Sequence, residues 1–213
     1  MKIKWLAHSS FLITSDSGIR IITDPYTPGD GLRYGEIKES ADIVTISHEH
    51  FDHNNAKAIK GNPVVLQKSS EAKGISVKAV PAFHDMVGGK TRGKDSIFCF
   101  SIDGVKLCHL GDLGQILDEK QIAEIGKVDI LFTPAGGYFT LEPADVTKMI
   151  EKINPRVVIP MHYQTEKTSL PFSGVDEFLK GKQNVKKLNT SEIEFTTATL
   201  PVKTEIVVLK PSL

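Results

Sequence analysis

The feature that most constrains this chain is a histidine-rich segment directly after a strand-like apolar run. Residues 42–46 are DIVTI, and residues 47–53 are SHEHFDH. If His48 and His50 keep strand geometry, their side chains share one face, because residues two apart in a strand point the same way. Asp52 and His53 come after the chain begins to turn, so they could hold a second ion nearby. The segment therefore predicts a metal-binding loop.

The ligand chemistry of this loop favours transition metals. Neutral imidazole nitrogen suits zinc, and an added carboxylate oxygen gives a mixed site that zinc, iron or manganese can occupy. The alternative is that these histidines cap a helix or lie on the surface, as a lone histidine usually does. Four ligand-type residues in the spacing His-x-His-x-Asp-His argue against that alternative.

With this motif, the chain resembles the metallo-β-lactamase-fold superfamily of metal-dependent hydrolases over nearly its whole length. Three further segments resemble the branch that includes ascorbate-6-phosphate lactonase: WLAHSSFLI at 5–13, HLGDLG at 109–114 and PMHY at 160–163. The resemblance implies a four-layer αββα sandwich formed by one domain over residues 1–213. The pattern of short strands and few helices alone indicates only a mixed α/β fold.

The resemblance also implies a complete ligand set for two ions. His84 matches the third ligand position and His162 the last, although either histidine alone could equally be structural. Asp112 is expected to bridge the ions, since each carboxylate oxygen can bind a different metal, and Gly111 permits close backbone approach. We therefore assign one ion to His48, His50, His84 and Asp112, and the other to Asp52, His53, Asp112 and His162.

Three more residues are expected beside the ions. By resemblance, Asp24 supports the metal-binding loop from behind, because ligating histidines generally donate their second N–H to such a partner. His8 and His109 belong to the segments typical of the narrower branch. Each either contacts substrate or stabilises developing charge in the pocket, or is a hydrogen-bonded core histidine. Neither is expected to be a ligand.

The expected chemistry is hydrolysis by a hydroxide held between two divalent ions, because shared coordination lowers the pKa of water toward neutrality. Zinc is the first choice, with manganese or iron as alternatives. Asp52 is the candidate to accept a hydrogen bond from the water or to take its proton. The substrate is expected to be a small ester, lactone or phosphodiester. Lys90, Arg92 and Lys94 could hold an anionic group of it, although a solvated basic loop is an equal alternative.

Composition limits the competing functions. Basic and acidic residues number 26 each, and this zero net charge argues against a nuclease or RNA-processing enzyme, as does the lack of an added clamping domain. The absence of paired Cys-x-x-Cys motifs disfavours a non-catalytic metal or redox protein. No signal-length or membrane-spanning apolar run occurs, so we expect a cytoplasmic protein without a membrane partner. A homo-oligomer is left open.

The pattern around Asp103-Gly104 predicts a tight hairpin, since Asp-Gly is a favoured two-residue turn. Pairing outward from this turn places Cys99 opposite Cys108. We expect two reduced thiols packed as small apolar groups rather than a disulfide, because only two cysteines are present and the protein is expected in the cytoplasm.

Two helices follow from apolar periodicity and capping signals. The first is predicted over 143–153, with proline in its first turn. Strands over 128–132 and 156–161 flank it, which gives a β-α-β unit whose second strand delivers His162 at its carboxyl end. The second helix is predicted over 173–180, with a capping pattern at its start.

Overall fold

The computed structural model describes all 213 residues, most of whose regular structure is β-strand. The strands are β1 (Lys2–Ala7), β2 (Ser10–Thr14), β3 (Arg20–Thr23), β4 (Ile43–Thr45), β5 (Val64–Leu66), β6 (Ser70–Ala72), β7 (Ile75–Phe83), β8 (Lys94–Ile102), β9 (Val105–His109), β10 (Ile130–Pro134), β11 (Val157–Met161), β12 (Val185–Lys187), β13 (Glu192–Glu194) and β14 (Glu205–Val208). The helices are α1 (Glu119–Ile125), α2 (Pro143–Ile153) and α3 (Val175–Leu179), with one 3₁₀ turn, Ala56–Ala58. None of the helices has both the length and the apolar character that a membrane span requires.

The strands form two mixed sheets, of order β13-β1-β2-β3-β4-β5 and β12-β14-β11-β10-β9-β8-β7-β6. In the first sheet, β1 and β3 both run antiparallel to β2, and β4 runs parallel to β3. In the second, β7 and β9 both run antiparallel to β8, and β10 and β11 continue parallel to β9. The carboxyl ends of β1, β3 and β4 therefore share one edge, as do those of β7, β9 and β11. Loops at such edges are where α/β proteins gather functional side chains.

Successive side chains along the strands of the first sheet point to opposite faces, and each face packs against a different apolar cluster. Phe11 and Ile13 of β2 lie in the main core, which joins residues of both sheets, whereas Leu12 packs in a second apolar cluster. Ile43 and Val44 of β4 divide in the same way. Because both faces are covered, these strands are nearly continuous apolar runs.

The second cluster covers the outer face of the six-stranded sheet. Loop residues between 26 and 41 supply much of it, together with Ile59 after the 3₁₀ turn. On the other sheet, α2 buries Val146, Met149 and Ile153 in the main core. The predicted α/β sandwich of two face-to-face sheets is therefore present, with loops forming most of one outer layer.

The hairpin prediction is confirmed. Asp103 and Gly104 join β8 to β9 with φ of 51° and 77°, and positive φ at both central residues is what a type I′ turn requires. Cys99 pairs directly with Cys108, and their Sγ atoms lie 3.7 Å apart as free thiols.

Both predicted helices are present as α2 and α3, and β10 and β11 flank α2 in parallel as expected. The capping prediction for α3 was wrong: Gly174 is its N-cap, and no side chain caps it. The helix α1 was not predicted from the sequence. Its capping box joins Asp118 to Gln121, and this Asp-x-x-Gln spacing is the signal that would have found it.

Candidate metal centre

Three residues of the centre stand immediately after strands in a strained backbone conformation. His8 follows β1, Asp24 follows β3 and His162 follows β11, with φ of 52°, 36° and 49°. Non-glycine residues adopt positive φ uncommonly, at a cost on the order of 1–3 kcal/mol each. The left-handed residue turns the chain as soon as the strand ends, so the side chain stays at the sheet edge.

The Asp112 carboxylate lies in the middle of the histidines. Its Oδ2 is 3.2 Å from Nε2 of His53 and of His162, 3.3 Å from His84 Nε2 and 3.9 Å from His48 Nε2. Burial opposes its ionisation, but His162 and His53 hold the pKa of Asp112 well below its usual range. An ionised carboxylate is thus surrounded by imidazole nitrogens.

The other predicted ligands fall into two groups. The potential ligand atoms of His48, His50 and His84 all lie within 4.8 Å of one another. A second group with the same spacing contains His8, Asp52, His53 and His162. The structure therefore brings together all seven residues assigned from the sequence, and His8, which was not expected to be a ligand, lies in the second group. A third group with the same spacing, Asp24, His48 and His53, contains one histidine from each of the two.

The condition for His48 and His50 to share a strand face is not met. Because β4 ends at Thr45, neither residue follows strand geometry, and alternation along a strand does not align them. Their ring centroids are nevertheless 4.6 Å apart. The loop is instead held by hydrogen bonds, including one of 2.9 Å from His53 N to His50 O.

Asp24 anchors this loop from behind. Its Oδ1 accepts a hydrogen bond from Ser47 N at 2.8 Å, and its Oδ2 accepts from Ser47 Oγ at 2.6 Å and from His53 Nδ1 at 2.9 Å. Ser47 Oγ also lies 2.9 Å from His48 Nδ1. Burial opposes charge on Asp24, but the His53 hydrogen bond helps to hold the pKa of Asp24 below its usual range.

This network fixes the tautomers of two histidines. His53 donates its Nδ1 proton to Asp24 directly, and His48 donates its Nδ1 proton to Ser47, whose hydroxyl donates to Asp24. In the neutral form of each ring, which metal binding requires, both Nε2 atoms then present lone pairs toward Asp112. Both Nε2 atoms are buried without a hydrogen-bond partner, and Asp112 Oδ1 is also buried without one.

The donor set fits a transition metal. Buried polar atoms without partners are rare in folded proteins, and here imidazole nitrogens and carboxylate oxygens without partners converge on one place. Divalent ions such as zinc bind this mixture of ligands, and the backing carboxylate is typical of ligating histidines. A bound ion would satisfy the buried atoms that the protein leaves without partners.

Comparison with known proteins gives the family. The profile of the Beta-lactamase superfamily domain matches residues 2–162. The chain belongs to the β-lactamase superfamily. UPF0173 metal-dependent hydrolases of Carboxydothermus hydrogenoformans and Thermococcus onnurineus are 32% and 30% identical over 196 and 193 residues, each alignment covering 78% of this chain and 85% of the relative. A metallo-β-lactamase superfamily structure from Thermotoga maritima is 33% identical, with a TM-score of 0.82 over 98% of this chain and 97% of that one.

These similarities confirm the predicted superfamily, its fold and the enzyme class. The protein is a metal-dependent hydrolase of the metallo-β-lactamase superfamily, and its His/Asp cluster is able to hold metal.

In this hydrolase, His8 lies inside the centre. Its Nε2 is 3.2 Å from Asp52 Oδ2, and its backbone oxygen accepts hydrogen bonds from Trp5 Nε1 and His162 N. Burial and the neighbouring His162 lower the pKa of His8 to about 4, so the ring is neutral near pH 7. The structure favours the interpretation of His8 as a residue of the site.

His109 lies behind the centre, fully buried. Its Nε2 donates to Ser9 O at 2.9 Å, and its Nδ1 accepts from Gly111 N at 3.2 Å. The ring also packs near Phe11 and Phe132. Because both nitrogens are used within the protein, the structure favours the interpretation of His109 as a core histidine.

Asp95 is a further acidic residue beside the centre that was not predicted from the sequence. Its Oδ1 lies 3.5 Å from His48 Nδ1, and both of its buried carboxylate oxygens lack hydrogen-bond partners. The Asp95 carboxylate also packs closely against Gly111, where an added Cβ would come 2.4 Å from Asp95 Oδ1. Gly111 is thus required both by its φ of 57° and by this contact. The signal was an acidic residue just before the apolar run at 97–100 of β8.

A cavity of about 260 Å³ opens on the centre. Besides five metal-centre residues, it is lined by Asp30, Phe51, Arg92, Phe139, Leu170 and Phe172. Of the three loop cations, only Arg92 lines it. Lys94 lines an adjacent cavity of about 420 Å³ that shares His50 and Arg92 with the first, and Lys90 lines neither.

Proposed function

We propose that this enzyme is a dinuclear hydrolase of a small ester, lactone or phosphodiester, with zinc as its metal. The first group of residues would hold one ion and the second group the other, and Asp112 would contribute a ligand to both. The ligands of the first ion are His48, His50, His84 and Asp112, and those of the second are Asp52, His53, Asp112 and His162.

The observation that carries the proposal is the position of Asp112 Oδ2. It lies 3.3 Å from His84 in the first group, and 3.2 Å from His53 and from His162 in the second. A carboxylate within contact distance of both groups can use one oxygen for each ion. The Asp112 Oδ1 atom, buried without a partner, supplies the second oxygen.

The metals would contribute chemistry that the side chains lack. When bound, two such ions act as Lewis acids and lower the pKa of a shared water toward neutrality. The chain needs no serine or cysteine nucleophile in this arrangement. Imidazole-rich sites with carboxylate favour zinc, although manganese and iron accept the same ligands.

Asp52 is proposed to orient the attacking water. It lines the cavity, and the neutral His8 ring donates a hydrogen bond to its Oδ2 at 3.2 Å. Burial opposes ionisation of Asp52, but His53 and His8 hold the pKa of Asp52 below its usual range. The carboxylate therefore remains an acceptor near pH 7, and His8 fixes its orientation.

The size of the cavity supports a small substrate. About 260 Å³ lies just below the range of roughly 300–1,000 Å³ typical of drug-sized ligands. A folded polynucleotide would need an extended basic surface, for which the zero net charge offers no support.

Metal analysis and turnover test this proposal together. Protein stripped by a chelator and reloaded with zinc, manganese or iron should take up two ions per chain and hydrolyse members of a panel of aryl esters, lactones and phosphodiesters. Activity should disappear on stripping and return with the second ion. A protein that binds one ion per chain at saturation would contradict the dinuclear assignment, and turnover independent of metal would contradict the mechanism.

A further inference from the structure

The loop that carries Arg92 is ordered by a single carboxylate. Asp85 accepts hydrogen bonds of 2.8 to 2.9 Å from the backbone nitrogens of Val87, Gly89, Thr91 and Arg92. These bonds help to hold the pKa of Asp85 below its usual range, against the opposing effect of desolvation. Since Asp85 directly follows His84, the loop and the metal ligand are fixed by the same short segment.

The Arg92 side chain is positioned by an aromatic ring rather than by an acid. Its Cζ lies 3.5 Å from the centroid of the Phe139 ring, and the guanidinium forms no salt bridge or hydrogen bond with the protein. Asp30, the lining carboxylate outside the metal-centre groups, is not paired with it. A half-buried guanidinium stacked on an aromatic ring keeps its planar set of donors free for an anion.

The segment before Phe139 requires glycine at two positions. An added Cβ at Gly136 would come 2.5 Å from His162 O, and Gly137 has a φ of 63°, which strains any residue with a side chain. Tyr138 then has a φ of 66°, an outlier for a bulky residue. This tight path follows β10 and sets the Phe139 ring against the cavity, so the support for Arg92 is built into the fold.

Apart from Asp30 and the metal-centre residues, the rest of the lining is apolar. Phe51, Leu170 and Phe172 face the same cavity, and the Phe139 and Phe172 rings meet edge to face at 6.1 Å. Phe172 also packs 4.4 Å from the His162 ring. An apolar surface therefore extends from the proposed metal ligands to the ring under Arg92.

From this arrangement we infer that Arg92 on Phe139 is an anion subsite. The substrate is then a small amphipathic ester or lactone, with an anionic group on Arg92 and an apolar portion against the aromatic residues. The inference rests on the proposed function, because the scissile bond must lie over the metals. The inference assigns different roles to the loop cations: Arg92 binds the anionic group of the substrate, whereas Lys90 does not contact the substrate.

The test uses a non-hydrolysable pair, γ-phenoxybutanoate and its uncharged amide, in which only the charge at one end differs. Calorimetric titration of metal-loaded protein should give tighter binding of the carboxylate. In Arg92→Met, carboxylate binding should weaken by about tenfold to a hundredfold, as expected for losing charge-assisted hydrogen bonds, while amide binding stays unchanged. Lys90→Met removes the same charge from the same loop and should leave both affinities unaltered.

The Arg92→Lys variant tests whether the positive charge alone is enough to bind the carboxylate. It keeps the charge but loses the planar stack on Phe139 and the bidentate donors, so its affinity for the carboxylate should lie between those of wild type and Arg92→Met. Thermal unfolding and metal content should match wild type in all three variants, since the Asp85 bonds involve the backbone of residue 92 and not its side chain.

Several outcomes would overturn the subsite. These are equal binding of the acid and the amide, binding of neither, or a preference for the acid that survives in Arg92→Met because the carboxylate binds the metals. Hydrolysis of monophenyl succinate, the ester counterpart, separates the two claims. If ligand binding depends on Arg92 but no ester is cleaved at full metal content, the subsite stands and the proposed function fails.

Discussion

Replacing Asp24 with asparagine should weaken both proposed metal sites without changing a proposed ligand. Asparagine has the same shape, and its amide oxygen can still accept the 2.8 Å hydrogen bond from Ser47 N. Its NH₂ group, however, would face two donors, the Ser47 hydroxyl and the His53 Nδ1–H, which both now donate to Asp24 Oδ2. The His53 ring must then rotate or move its proton to Nε2, which removes the lone pair offered to the metal.

The expected magnitude follows from the hydrogen bonds that are lost. Loss of a partner behind a ligating histidine typically costs about 10–100-fold in metal affinity, or roughly 1.4–2.7 kcal/mol. The ion held by His53 should show this full effect because its bond to Asp24 is direct. The ion held by His48 should lose less, since Ser47 stands between His48 and Asp24.

Ser47→Ala is the matched comparison. It removes the hydroxyl that links His48 to Asp24 but leaves the 2.9 Å bond between His53 and Asp24. We expect a smaller loss of affinity that is confined to the ion held by His48. The two variants therefore differ in which ion they weaken as well as in the size of the effect.

Competitive titration against a chromophoric chelator measures both affinities, with cobalt spectra to identify the ion released first. Near-UV circular dichroism shows whether each variant keeps its fold. Unchanged affinities in a folded Asp24→Asn protein would refute the reasoning. So would a Ser47→Ala protein that binds both ions equally more weakly, because the hydrogen bonds from His48 through Ser47 to Asp24 would then not affect the ion at His48 alone.

Three further predictions concern the same centre. Asp112→Ala should lose both ions together in metal analysis, and retention of one tightly bound ion would exclude a bridge. Metal binding near pH 7 should release protons, because Asp112 and Asp52 hold the pKa of His53 well above its usual value against desolvation, and a ligating imidazole must be neutral. Affinity should therefore fall as the pH falls, and calorimetry in buffers of different ionisation enthalpy should report the release; no buffer dependence would contradict it. Gly111→Ala should destabilise the fold by about 1–3 kcal/mol in urea unfolding, given its φ and the contact with Asp95, and an unchanged midpoint would refute that account.

Much of the proposed ligand set could be predicted because it depends on local order. The segment 47–53 concentrates four ligand-type residues in one loop, and no tertiary contact is needed to see them together. His84, Asp112 and His162 each follow a strand within a few residues. Once those strands are placed in parallel, their carboxyl ends must share an edge, so the meeting of these side chains follows from topology.

The supporting residues depended on register and could not be predicted so directly. Asp95 reaches His48 only because β8 pairs with β9 in a register that sets its carboxylate against Gly111. His8 and His109 were equivalent in the sequence, since both lie in segments typical of the family branch. Backbone geometry distinguishes them. His8 has a positive φ that turns its side chain into the centre, whereas His109 is the last residue of β9 and hydrogen-bonds to backbone atoms through both ring nitrogens.

The basic loop shows the same limit for substrate recognition. Lys90, Arg92 and Lys94 are close in sequence and carry equal charge, so composition could not rank them. The Asp85 carboxylate determines which of the three faces the cavity, because its four backbone hydrogen bonds fix the path of the loop. Only Arg92 then faces both the metal centre and Phe139. A residue without an acceptor side chain at 85 would leave those N–H groups without partners, and the Arg92 position would no longer be specified. Asp85→Ala should therefore weaken γ-phenoxybutanoate binding as Arg92→Met does, although the cation itself remains.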